Sequence, residues 1–147
     1  MTPFPRQSTC VAIAGRAILI EGPPGVGKSS LALALMDRGA RLIGDDSVLL
    51  ACSEGTLVAS PHPSTKGLLE VRNLGILPFP CLDQAPVAIV LELQPSAPRY
   101  VEGPGRSAIA GVYLPFLSLH PESLILPLKA ELALAHYGLP FPERMTS

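Results

Sequence analysis

Apolar residues along this chain fall into short runs broken by glycine and proline, a pattern that predicts many strands and few helices. Thr9 to Ile13 and Ala17 to Glu21 read as two strands joined by a tight Ala14-Gly15-Arg16 turn. Ser30 to Arg38, with Leu31 to Met36 apolar on nearly every side, predicts a helix packed between a sheet and another layer and stopped by Gly39. Arg41 to Ile43 reads as a short strand ending in Gly44-Asp45-Asp46, and Ser47 to Cys52 and Thr56 to Ser60 as further strands before a polar loop, Pro61 to Lys66. Between Gly67 and Leu77, Glu70 and Arg72 interrupt an apolar run, and periodicity leaves open whether they face solvent or serve a site. Pro86 to Leu93 is continuously apolar up to Glu92, which predicts a central strand buried on both faces. Gln94 to Arg106 is a proline- and glycine-rich loop whose Arg99 and Arg106 either approach a phosphate or are solvated. Ser107 to Tyr113 and Pro115 to Leu119 read as strands, and after the break at His120-Pro121 the spacing of Leu124, Leu128, Leu132 and Ala135 predicts a helix over Glu122 to His136, begun or interrupted at Pro127.

Composition adds bounds to that outline. A length of 147 residues suits one domain spanning 1–147, with 1–8 and 139–147 expected as poorly ordered tails. The 48% apolar and 16% charged residues are globular values, and 17 prolines predict many rigid loops. A net charge of -1 supplies no basic field for a nucleic-acid backbone, so no nucleic-acid partner is expected. No apolar run approaches the ~20 residues that span a bilayer, and Met1 to Gln7 lacks the order of a signal peptide, so a cytoplasmic protein with no membrane partner is expected. Cys10, Cys52 and Cys81 show no metal or disulfide spacing and read as buried free thiols, and His62, His120 and His136 show no ligand spacing either.

The stretch Gly22-Pro23-Pro24-Gly25-Val26-Gly27-Lys28-Ser29 changes the picture, because it matches G-x-x-x-x-G-K-[ST], the P-loop, between an apolar strand and a helix. Glycines let successive backbone N–H groups turn inward around phosphate oxygens, and the helix that follows adds its unpaired N-terminal N–H groups, Ser30 among them. In such a loop Lys28 reaches the β- and γ-phosphates and the Ser29 hydroxyl ligates Mg2+, so ATP and Mg2+ are the expected cofactors. Asp45 and Asp46, at a strand end one helix later, stand where a Walker-B carboxylate belongs. Consecutive strand residues point to opposite faces, so the two aspartates are expected to do different jobs.

Taken together, Gly22 to Ser29, Arg38-Gly39-Ala40, Leu42-Ile43-Gly44-Asp45-Asp46 and Leu69-Glu70-Val71-Arg72-Asn73-Leu74-Gly75-Ile76 resemble, in order and spacing, the motifs of the HPr kinase/phosphorylase family, in a short form with only the C-terminal catalytic domain. The resemblance covers about Thr9 to Leu93. It implies an α/β P-loop kinase fold of the HPr kinase and PEP carboxykinase-like type, a mixed central sheet with flanking helices. It implies phosphorylation of a serine on the phosphocarrier HPr or its nitrogen-system relative, which regulates the phosphotransferase system, with reversal by phosphorolysis and ATP or pyrophosphate as donor. By the same resemblance Lys28 binds phosphate, Ser29 and Glu70 hold the metal, Asp45 moves the serine proton with Asp46 in support, Arg99 stabilises the moving phosphoryl group, and the chains assemble as homo-oligomers, hexamers in the family. The sequence departs from the family in having no histidine before His62 and in carrying Asn73 where the signature has glycine. A small-molecule P-loop kinase and a nucleotide or phosphate sensor without turnover are the competing readings.

Overall fold

The computed structural model describes residues 2–143. Its strands are β1 (Phe4–Arg6), β2 (Thr9–Ile13), β3 (Arg16–Glu21), β4 (Arg41–Gly44), β5 (Val48–Ser53), β6 (Thr56–Pro61), β7 (Leu68–Val71), β8 (Gly75–Pro78), β9 (Ala85–Leu93), β10 (Gly105–Ile109) and β11 (Val112–Leu119). Helix α1 (Lys28–Asp37) follows β3, and α2 (Leu126–Tyr137) comes last. The strand β9 is the axis, as its apolar run predicts. It lies parallel to β3 on one edge, while the other edge pairs antiparallel with β6 near its start and parallel with β11 near its end. The order β1-β5-β6-β9-β3-β2-β4, with β10 joined through β11, makes one mixed sheet, and β7 and β8 form a separate two-stranded sheet.

Strand alternation sends side chains into two cores. Ile18, Ile20, Ile89 and Leu91 pack with Leu31 and Leu35 of α1 and Ala130 and Leu134 of α2. On the opposite face Leu19, Val87 and Val90 pack with Val48, Leu50 and Leu57, all from strands. Both helices therefore cover one face, and the sheet curls over itself to cover the other. This is the expected mixed α/β architecture, with the helices on one side only. Helix α1 also packs against β7 and α2, the second layer that its all-round apolarity predicts. The chain leaves α1 through a Schellman turn at Gly39 (φ 108°), with the Ala40 N–H donating to Leu35 O at 2.9 Å and the Gly39 N–H to Met36 O at 3.0 Å.

Three expectations are corrected. Residues 4–6, expected within a poorly ordered tail, form β1 along β5, and Arg6 donates twice to the Glu21 carboxylate at 2.9 and 2.8 Å. That bond raises the Arg6 pKa and anchors β1 beside the end of β3. At the other end, the Leu139 N–H donates to Ala88 O at 2.9 Å, while 144–147 lie outside the described residues. The second correction concerns β10 and β11, which meet at Ala110-Gly111 and not at Leu114. Both residues have positive φ (51° and 80°), as a type I′ hairpin turn requires, and Pro115 is accommodated just ahead of Phe116, where pairing with β9 begins. Third, of the free cysteines only Cys10 is fully buried, its thiol pushed up by desolvation, whereas Cys52 and Cys81 are partly exposed.

Leu91 is fully buried on the helix-covered face of β9. Leu91→Ala is expected to lower unfolding free energy by about 2–5 kcal/mol, read as a shifted denaturant midpoint with little change in slope.

Candidate active site

The P-loop leaves the C-terminal end of β3 and turns into α1, and local geometry explains its composition. Gly22 has φ 144°, and a Cβ there would lie 2.8 Å from Leu93 O and 3.1 Å from the Val26 side chain, so only glycine lets the loop cross the end of β9 so closely. Val26 turns back to pack on the helix-side core, while Pro23 and Pro24 are exposed. Gly27 caps α1 in a left-handed conformation without any side-chain cap, and the first helical turn carries no acid. The helix therefore presents its N-terminal N–H groups and dipole to whatever enters the loop, an arrangement suited to an anion. Lys28 folds back so that its ammonium donates to Gly22 O at 2.8 Å.

Opposite the loop stands Asp45, 8% exposed at the end of β4. Its Oδ1 accepts from the Ser29 hydroxyl at 2.7 Å and the Thr9 hydroxyl at 2.9 Å, and its Oδ2 accepts from the Glu70 N–H at 3.0 Å. A close turn sets this up: a Cβ on Gly44 would lie 2.7 Å from the Val48 side chain and 2.9 Å from Ser47 O. Asp46 follows with φ 66° and is exposed, and among the described residues its carboxylate accepts no hydrogen bond. The neighbouring aspartates thus differ, one buried and fully engaged, the other open.

The hairpin of β7 and β8 supplies the far wall. Leu69 is buried against the helix-side core, so alternation turns Leu68 and Glu70 outward to the cleft. The turn after β7 is held by Asn73 at φ 72°, a conformation that asparagine tolerates better than most residues, and Arg72 Nη2 donates to Gly25 O at 3.2 Å. Between loop, aspartates and hairpin lies a cleft of about 740 Å³.

Of the residues that sequence reasoning selected, Pro24, Gly25, Gly27, Lys28, Ser29, Ser30, Asp45, Asp46 and Glu70 line this cleft. Gly22, Pro23 and Val26 shape the loop from outside it. Arg99 is not brought in: it is exposed in the segment between β9 and β10. Arg106 lies on β10 with its guanidinium 5.0 Å from the Tyr113 ring centroid. Sequence reasoning missed Thr9, whose hydroxyl reaches Asp45 because β2 pairs with β4 at Cys10 and Gly44. It also missed Thr65, a cleft residue whose buried hydroxyl has no partner among the described residues. No signal in the sequence pointed to Thr65, whereas a polar side chain at the head of an apolar strand was a signal for Thr9.

Among the described residues no group of three or more His, Cys, Asp and Glu side chains forms a metal cluster. The oxygens that converge here are the Ser29 hydroxyl and Asp45 carboxylate, with Glu70 on the same cleft. This all-oxygen donor set fits a hard cation such as Mg2+ better than a thiophilic metal.

Comparison with known proteins agrees with this geometry. The family model for the HPr Serine kinase C-terminal domain matches residues 5–82. An HPr kinase/phosphorylase of Clostridium botulinum (strain Eklund 17B / Type B) is 51% identical over 67 residues, covering 46% of this chain and 22% of the relative. Another, from Mycoplasma mycoides, is 28% identical over 125 residues, covering 80% of this chain and 40% of the relative. The chain thus spans from about a fifth to two-fifths of the length of these curated relatives. Among solved structures, the HPr(Ser) kinase/phosphatase from Coxiella burnetii superposes with a TM-score of 0.80 at 25% identity, over 90% of this chain and 94% of that one. The family match covers more than half of the sequence and contains the P-loop, both aspartates and the β7–β8 wall, and the chain belongs to the HPr Serine kinase C-terminal domain family.

Proposed function

We propose that this protein transfers the γ-phosphoryl group of ATP to a serine hydroxyl of the phosphocarrier HPr or a related nitrogen-system carrier, and so regulates a phosphotransferase system. The observation that carries the reading is the pairing, across one cleft, of an anion-binding loop whose Ser29 is bonded to Asp45 with a second carboxylate, Asp46, that is free. The backbone of Gly22 to Ser29 and the start of α1 bind the phosphates, and Lys28 exchanges its bond to Gly22 O for phosphate oxygens. Ser29 and Glu70 would hold Mg2+, which when bound neutralises charge on the phosphates. Asp45, with its oxygens occupied, positions Ser29. Asp46, open to the cleft, takes the proton of the serine hydroxyl as that oxygen bonds to phosphorus and the bond to ADP breaks. This reverses the roles that the family resemblance implied for the two aspartates. In phosphorolysis orthophosphate takes the place of ADP: its oxygen bonds to phosphorus as the bond to the serine oxygen breaks, Asp46 returns the proton to that serine oxygen, and pyrophosphate leaves.

The mouth of the cleft supports a protein acceptor over a small polar metabolite. Leu68, Leu74 and Ile76 of the β7–β8 hairpin are 40%, 70% and 68% exposed, an apolar rim that suits a protein surface delivering a serine. A sensor without turnover has no use for a free carboxylate beside the phosphates. A cytoplasmic location and a hexameric assembly belong to this reading. Among the described residues no helix is long and apolar enough to cross a membrane. The hexamer rests on the family resemblance alone, and light scattering of the purified protein checks it.

Incubation with labelled ATP, Mg2+ and purified HPr-type carriers is expected to place label on a carrier serine. Asp46→Asn is expected to slow this transfer about a hundredfold to ten-thousandfold with ATP affinity unchanged, and Lys28→Ala to abolish nucleotide binding. Label found only in small molecules, or an Asp46→Asn enzyme as fast as the parent, would falsify the reading. Release of pyrophosphate from seryl-phosphorylated carrier in the presence of orthophosphate establishes the reverse reaction.

Ile76→Glu is expected to raise KM for the carrier at least about tenfold, the scale of a lost apolar anchor, while ATP binding by calorimetry stays unchanged.

A further inference from the structure

We infer that Arg72 is the second cationic ligand of the donor's terminal phosphoryl group, working from the hairpin side of the cleft opposite Lys28. The inference rests on the nucleotide-binding part of the proposed function and assigns a residue to it. Charge supplies the first argument. Of the described side chains lining the cleft only Lys28 and Arg72 are cationic, against the carboxylates of Asp45, Asp46 and Glu70. A triphosphate brings several further negative charges, and an arginine fork is the side chain best matched to phosphate oxygens.

Position supplies the second. Among the described residues Arg72 is exposed and makes one hydrogen bond, Nη2 to Gly25 O at 3.2 Å, so the guanidinium lies at the crest of the P-loop. Among the described residues its other donors have no partner, and it forms no ion pair although Glu70 and Asp46 border the same cleft. Lys28 is parked in the same manner on Gly22 O at 2.8 Å, so both cations of the cleft rest on carbonyls of one loop. Neutral carbonyls are weaker partners than phosphate oxygens, and both cations can leave them for a bound anion.

Backbone geometry supplies the third. Arg72 directly follows β7, whose Leu69 is fully buried and whose Glu70 N–H is bonded to Asp45 Oδ2, so the base of the side chain is fixed relative to the site. Arg99, expected from the family resemblance to serve the moving phosphoryl group, lies outside the cleft, which among the described residues leaves Arg72 as the arginine placed to do so.

The test compares ATP with ADP. In the presence of Mg2+, Arg72→Ala is expected to weaken ATP binding about ten- to a hundredfold, the scale of one charge-assisted contact, and to leave ADP binding within about twofold. Arg72→Lys is expected to recover part of the loss, and millimolar guanidinium to restore transfer in Arg72→Ala but not in the parent. Equal loss of ATP and ADP binding, without guanidinium rescue, would mean that Arg72 merely clasps hairpin to loop and would overturn the inference. So would ATP binding that ignores the substitution, while label transfer to a carrier by the parent leaves the proposed acceptor standing. A parent protein that discriminates ATP from ADP through Arg72 yet labels no carrier sinks the acceptor assignment alone, and one that binds no ATP sinks both. Thermal melting of each variant confirms that the exposed substitution leaves the fold intact.

Discussion

The carboxylate of Asp45 is the knot of this structure. Burying a charge is costly unless its lone pairs are occupied, and here three donors from three other elements supply that: Thr9 from β2, Ser29 from α1 and Glu70 from β7. Each bond crosses a long stretch of chain, so the phosphate loop, the edge of the sheet and the separate hairpin are placed relative to one another by a single side chain. The site is therefore a junction of elements, and its geometry is specified by the same contacts that offset the desolvation of Asp45.

Around that knot the cleft divides its labour by burial. The engaged oxygens of Asp45 leave it little freedom, whereas Asp46 one residue later is turned away by a left-handed backbone and remains open. Both residues lie past the end of β4, and the positive φ of Asp46 explains why adjacent residues of one type meet such different surroundings. Lys28 and Arg72 are placed alike, both held on backbone oxygens of one loop.

Much of this was legible in the sequence where one local rule decided the outcome. The P-loop glycines, the central placement of β9, the Gly39 stop and the Pro127 start of α2 each follow from backbone or periodicity rules acting within a few residues. What escaped depended on pairing across distance. β1 has too few residues to show alternation and exists because β5 offers an edge and Glu21 a partner for Arg6. The β10–β11 turn falls at Ala110-Gly111, inside the span Ser107 to Tyr113 that reads as one strand, because both residues adopt positive φ there. Thr9 joins the site only once β2 is laid against β4, and Arg99 leaves it only once the segment after β9 is traced. That the two aspartates differ was legible, but that Asp45 is the engaged carboxylate and Asp46 the open one appears only in three dimensions.

The wall formed by β7 and β8 is built as a panel apart from the large sheet. Among the described residues its strands pair only with each other, and the chain returns to the sheet afterwards, where the Leu82 N–H donates to Leu42 O at 2.7 Å. Substitutions on its outward positions leave every ladder of the large sheet untouched, as long as Leu69 and the Glu70 amide keep their places. The exposed apolar side chains Leu68, Leu74 and Ile76 can therefore vary, and with them the chemistry of the cleft mouth, without disturbing the strand ladders beneath.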